Sequence, residues 1–128
     1  MAINTSPKKV LIADDEKAIA KALALKLTKA GFATEVAVNG VEAIDKIKAT
    51  KFDLIVLDLI MPEKDGFAVL EYMRTKKINY PVLVASNLSQ EEDLKRAKDL
   101  GAIDYFIKSN LSLQEIIDHI KKILKVWP

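Results

Sequence analysis

The stretch IADDEK (12–17) places three consecutive carboxylates, Asp14, Asp15 and Glu16, directly after the apolar run VLIA. Negative charge crowded at the end of a buried strand costs free energy unless a cation offsets it. Other chemistry-bearing residues stand at comparable places: Asp58 ends LIVLD (54–58), Ser86 follows PVLVA (81–85) and Lys108 ends DYFIK (104–108). Asp14, Asp15 and Asp58 offer oxygen donors, and the chain has no cysteine and a single histidine, His119, remote from the strand ends. Such a donor set suits a hard divalent cation, Mg²⁺ first and Mn²⁺ as a substitute. Asp58 is then a nucleophile toward phosphorus, with Lys108 and Ser86 placed to hold phosphoryl oxygens.

An aspartate at a strand end commonly serves as a turn or helix cap, and alone Asp14 or Asp15 would be read that way. What argues for chemistry is convergence, and convergence depends on the elements. KVLIA (9–13), TEVAV (34–38), LIVLD, PVLVA and DYFIK read as strands. VLIA and LIVLD are almost continuously apolar, as strands covered on both faces of a parallel sheet are. Segments near 17–30, 41–49, 66–75, 89–100 and 112–125 carry helical spacing. In the first, Ile19, Leu23 and Leu27 form the apolar face, the lysines 17, 21, 26 and 29 face water, and Gly31 ends the helix. Ser89 with Glu92 and Ser112 with Glu115 form capping-box signatures. The βα alternation, repeated five times, implies an α/β fold: a doubly wound, parallel five-stranded sheet in a three-layer sandwich with right-handed crossovers. Ligands of such sheets bind beyond the carboxyl ends of the strands, where Asp14, Asp15, Asp58, Ser86 and Lys108 all fall.

The composition fits one domain over residues 1–128, with a core from about 9 to 126. A net charge of +2, with lysines dispersed and not interleaved with aromatics, gives no support for direct nucleic-acid binding. No apolar run is long enough to span a membrane, and MAINTSPKK lacks the apolar core of a signal peptide, so a cytoplasmic setting is expected.

ADDE (13–16), DLIMPEKDG (58–66), PVLVAS (81–86) and GAIDYFIK (101–108) together resemble the receiver domain of two-component response regulators, over nearly the whole chain from about Lys9 to Trp127. The resemblance implies a flavodoxin-like (βα)₅ fold of the chemotaxis-regulator type, with strand order 2-1-3-4-5. It implies that Asp58 accepts a phosphoryl group from a sensor histidine kinase or a histidine phosphotransfer protein. It implies that Asp15, Asp58 and the backbone carbonyl of Ile60 bind Mg²⁺ directly, with Asp14 acting through water. Lys108 would bond the phosphoryl group, Ser86 would be the switch hydroxyl, and Tyr105 the switch aromatic that turns inward on phosphorylation. Glu16 is expected to be a first-turn acid favoured by the helix dipole.

The chain also departs from the family pattern. Asn87 stands where Ala or Gly is usual, a change expected to tune dephosphorylation, either by crowding access to Asp58 or by displacing the loop and opening the water path. Ser109 replaces the usual Pro after the lysine. A cis Lys108–Ser109 bond would cost about 2.5–4 kcal/mol, so either that strain is kept or the loop rearranges. Ile60 and Leu88, which would border the path of a hydrolytic water, are both apolar, and slow autodephosphorylation is expected.

The expected function is a phosphoacceptor switch, not an enzyme acting on external substrates. Its output would pass through the face formed by residues 89–125, to a downstream protein or a phosphorylation-dependent homodimer. The alternative is a phosphorylation-independent interaction module on the same fold. A flavodoxin or dinucleotide-binding reading fails on ADDE, which would repel a phosphate and contains no GxGxxG. A haloacid-dehalogenase phosphatase would need an acid where Ile60 stands. The chain ends at VWP without an effector segment, as expected of a stand-alone regulator or an excised receiver.

Overall fold

The computed structural model describes residues 7–88 and 90–125. Five strands, β1 (Lys9–Ala13), β2 (Ala33–Ala37), β3 (Leu54–Leu57), β4 (Val82–Ser86) and β5 (Asp104–Ile107), alternate with α1 (Lys17–Lys29), α2 (Gly40–Ala49), α3 (Gly66–Thr75), α4 (Glu91–Asp99) and α5 (Leu113–Leu124). All neighbouring strands pair in parallel in the order β2-β1-β3-β4-β5. This is the expected topology. The central strands β3 and β4 are buried throughout, as their continuous apolar runs require, while the edge strand β5 is partly exposed.

Alternate residues of each strand feed two cores. Leu11, Ile55, Leu57, Val82 and Val84 pack against α2, α3 and Ala97 of α4; Val10, Ile12, Leu54, Val56 and Leu83 pack against α1 and α5. The result is a three-layer sandwich whose rigid sheet fixes the positions of the strand ends. Gly31 and Gly101 follow α1 and α4 with φ of +99° and +107°, the left-handed conformation that ends a helix.

Local sequence explains most helix starts. Ser112 and Glu115 form the expected capping box, and Asn39 and Asp65 accept from the backbone N–H groups of Glu42 and Ala68. Ser89 and Trp127 lie outside the described residues, and α4 starts at Glu91 with Gln90 as its cap residue. One expectation in α1 is corrected. Its buried stripe is Ala20, Leu23 and Leu27, whereas Ile19 is 37% exposed on the flank facing α5. An alanine, small enough to sit against the sheet, takes the central place that periodicity assigned to isoleucine.

Candidate functional site

Asp14, Asp58 and Ser86 are buried, the three polar or charged residues so placed among those described. Each sits at the carboxyl end of a central strand and is held there by the sheet. The Asp14 N–H donates to the Ala37 carbonyl and the Asp58 N–H to the Ala13 carbonyl, both at 2.9 Å. Local bonds orient the carboxylates: the Glu16 N–H donates to Asp14 Oδ1 at 2.9 Å and the Ile60 N–H to Asp58 Oδ1 at 3.2 Å. Gly66 permits the loop after β3 to fold back on the site, since a Cβ there would fall 2.3 Å from the Asp58 carbonyl oxygen.

Lys108 is the cation that the acidic stretch requires. Its Nζ donates to Asp14 Oδ2 at 2.9 Å and to Asp58 Oδ2 at 3.0 Å, and it also pairs with Glu16. Its side chain is only 8% exposed. Burial is the largest single influence on this ammonium and disfavours its charge. Hydrogen bonds to Glu16, Asp14 and Asp58, with the field of Asp58, outweigh burial and raise Lys108 above the ordinary lysine range. For Asp14, burial raises the carboxyl above its usual range, reinforced by the charge of Asp58. The Glu16 N–H and Lys108 oppose that rise without cancelling it.

Glu16 is therefore more than a dipole-stabilising acid of the first turn. It occupies the N-cap position of α1 and directs its carboxylate to Lys108. Oxygen atoms of Asp14, Glu16 and Asp58 lie within 4.8 Å of one another, close enough to hold a metal ion. Asp15, expected to be a direct ligand, is exposed beside this cluster. The resemblance assigns the metal to Asp15, and the sequence gives Glu16 only a dipole role; the turn into α1 instead brings the Glu16 carboxylate to Lys108 and into the acidic group.

Around the hydroxyl of Ser86 the loop after β4 is tied in three ways. Ser86 Oγ accepts from the Leu88 N–H at 3.4 Å, and the Tyr105 hydroxyl donates to the Leu88 carbonyl at 2.7 Å. Tyr105 is half-buried and packs against the core. The third tie is the N–H of Ser109, which donates to Asn87 Oδ1 at 3.0 Å. The two departures from the receiver pattern thus touch each other, a contact no single-residue reading reveals. Ile60 is 52% exposed at the mouth, and Leu88 is half-buried. His119 contacts Phe106 with ring centroids 4.4 Å apart and planes tilted by 43°, a packing contact.

A family model, the response regulator receiver domain, matches residues 10–121. The chain belongs to this family. This receiver domain is 36% identical over 118 residues to the alkaline phosphatase synthesis transcriptional regulatory protein PhoP of Bacillus subtilis (strain 168), covering 92% of this chain and 49% of that protein. It spans about half the length of that relative. It is 34% identical over 125 residues to the chemotaxis protein CheY of Treponema pallidum (strain Nichols), covering 95% of this chain and 86% of CheY. Among solved structures, the receiver domain of Francisella response regulator 1452 superimposes with a TM-score of 0.86 at 36% identity, covering 92% of this chain and 97% of that one. Receiver domains are signalling switches, not enzymes of the ordinary kind. No described helix of this receiver domain is long and apolar enough to cross a membrane.

The donor set fits a hard divalent cation. Three carboxylates converge, neither histidine nor cysteine is among them, and the repulsion they would otherwise suffer is met by one ammonium. The receiver domain accordingly carries an acidic cluster bridged, but not fully neutralised, by one lysine at the carboxyl ends of its strands.

Proposed function

We propose that Asp58 is the phosphoacceptor and that its phosphorylation switches the affinity of the face formed by residues 89–125. The observation that carries this reading is the bridge from Lys108 Nζ to both Asp14 and Asp58, two carboxylates buried at the ends of neighbouring strands. An Asp58 oxygen attacks phosphorus, the bond from phosphorus to the donor breaks, and the donor leaves with the electron pair. The new phosphoryl oxygens lie where Lys108 can follow them from the carboxylates, and the buried Ser86 hydroxyl flanks the same space. Mg²⁺, or Mn²⁺ in its place, would be held by Asp15, Asp58 and the Ile60 carbonyl, with Asp14 acting through water and Glu16 adjoining; when bound it neutralises phosphoryl charge.

The donor is a sensor histidine kinase or a histidine phosphotransfer protein, in a cytoplasmic setting. The receiver of the signal is a downstream protein, or a second copy, on the 89–125 face. Tyr105 and the loop after β4 form the element whose two arrangements phosphorylation biases. The buried acid–lysine cluster, costly unless used, favours this reading over a phosphorylation-independent module.

The test is labelling with acetyl phosphate in Mg²⁺ buffer, followed by intact-mass spectrometry. One added phosphoryl group on the wild type, and none on Asp58→Asn, is the expected result, because the amide is a poor nucleophile toward phosphorus. Labelling retained by Asp58→Asn would overturn the assignment.

A further inference from the structure

We propose that Asn87 is a positioning residue for Lys108, acting through the backbone of Ser109. Strands β4 and β5 pair in register up to Ser86 and Ile107, and there the ladder stops. Immediately beyond, Asn87 Oδ1 accepts the Ser109 N–H at 3.0 Å. One partner follows the buried Ser86 and the other follows Lys108, so a single bond joins the two loops that carry the hydroxyl and the ammonium.

The backbone turn that aims Lys108 is short and weakly closed. Lys108–Asn110 form a single 3₁₀ turn, and its closing bond, from the Leu111 N–H to the Lys108 carbonyl, is long at 3.4 Å. Such turns have poor hydrogen-bond geometry of their own. The ammonium, by contrast, has to remain within 3.0 Å of both Asp14 and Asp58. A side-chain acceptor on the loop that follows the neighbouring strand fixes Ser109 and therefore the direction in which Lys108 leaves the chain.

The donor is a backbone N–H, which a proline at 109 could not supply and which any other residue supplies equally. The serine hydroxyl is dispensable in this arrangement and the Asn87 carbonyl oxygen is not. Asn87 is exposed, so the link competes with water and its loss is felt locally instead of unfolding the domain.

The inference rests on the phosphoacceptor reading for its consequence, but two measurements test it independently of phosphoryl chemistry. Asn87→Ala should speed hydrogen exchange of the Ser109 amide, and acylation of Lys108 by acetic anhydride mapped by mass spectrometry, each about three- to tenfold. Other core amides should be unaffected. Ser109→Ala, which keeps the donor, should match the wild type in both. Mg²⁺-dependent binding of beryllofluoride should weaken by a similar factor in Asn87→Ala only. If the Ser109 amide or Lys108 reacts at the wild-type rate in Asn87→Ala, or if Ser109→Ala behaves like it, the inference is wrong. A wild type that fails to bind beryllofluoride would instead overturn the phosphoacceptor reading, and the exchange and acylation rates would still decide the role of Asn87.

Discussion

The Tyr105 hydroxyl donates to the Leu88 carbonyl at 2.7 Å, joining strand β5 to the loop that follows the buried Ser86. Burial, then the charge of Asp93, raises the phenol above its ordinary value; the nearby Ser86 hydroxyl opposes this, and Asp58 adds to the rise. Tyr105 therefore remains a neutral donor throughout the neutral range. Tyr105→Phe removes the donor and leaves a half-buried carbonyl unpaired, at a cost of about 1 kcal/mol. The expected result is a lower urea midpoint and faster exchange of the Leu88 amide. An unchanged midpoint and exchange rate would show that the link contributes nothing.

Lys108→Ala should be more damaging. It leaves Asp14 and Asp58 buried without their ammonium, and breaking a buried charge pair costs about 3–5 kcal/mol before the acids relax by taking up protons. Added Mg²⁺ should raise the melting temperature of this variant more than that of the wild type, because a cation then returns to the acids. Equal shifts with Mg²⁺ would contradict the role of Lys108 as their neutralising partner.

Gly66→Ala tests how tightly the loop after β3 is folded onto the phosphoacceptor position. The added methyl would meet the Asp58 carbonyl oxygen at 2.3 Å and Leu59 Cα at 2.7 Å, backbone atoms with no freedom to rotate away. Overpacking of this kind costs about 1–3 kcal/mol. Denaturation midpoints should fall accordingly, and acetyl phosphate labelling should slow. Wild-type values for both would show that the loop has room to move.

A pH dependence is expected at the edge strand β2. Hydrogen bonding to Lys9 lowers the Glu35 carboxyl; burial opposes this and Lys46 assists it. A carboxylate depressed in the folded state adds stability above its unfolded value, about 4.3, and loses it as pH falls through the folded value. At pH 7 Glu35→Gln should be less stable than the wild type by about 0.5–1 kcal/mol, the size of a half-exposed pair. The difference should shrink as pH falls through the folded value and vanish once Glu35 is protonated in both states. A gap that persists there would place its origin in packing, not charge.

The phosphorylated state should be long-lived. On the phosphoacceptor reading, the half-exposed Ile60 and the half-buried Leu88 would border the approach to Asp58, and neither can orient a water by hydrogen bonding. Ile60→Asn combined with Leu88→Glu should accelerate loss of the phosphoryl group by about tenfold, or about 1.4 kcal/mol of barrier, followed on a phosphate-affinity gel. Equal decay of the wild type and the double variant would refute the shielding role.

Much of this receiver domain is determined by sequence alone. Periodicity and turn residues specify the five strands and five helices to within a few residues, because each depends on neighbours three or four positions away. The placing of Asp14, Asp58, Ser86 and Lys108 at strand ends follows from the same local rules. Tertiary structure decided what local rules do not reach. It moved Ile19 out to the flank of α1 and put Ala20 against the sheet, since which residue of an apolar run faces inward depends on how the helix lies across its strands. It selected Glu16 over Asp15 as the acid that touches Lys108, because the turn into α1 points adjacent side chains in different directions. It joined Asn87 to Ser109, two residues 22 positions apart that become neighbours only when β4 and β5 pair. Contacts between distant segments depend on the register and tilt of whole elements, and those are fixed by the packed core as a unit.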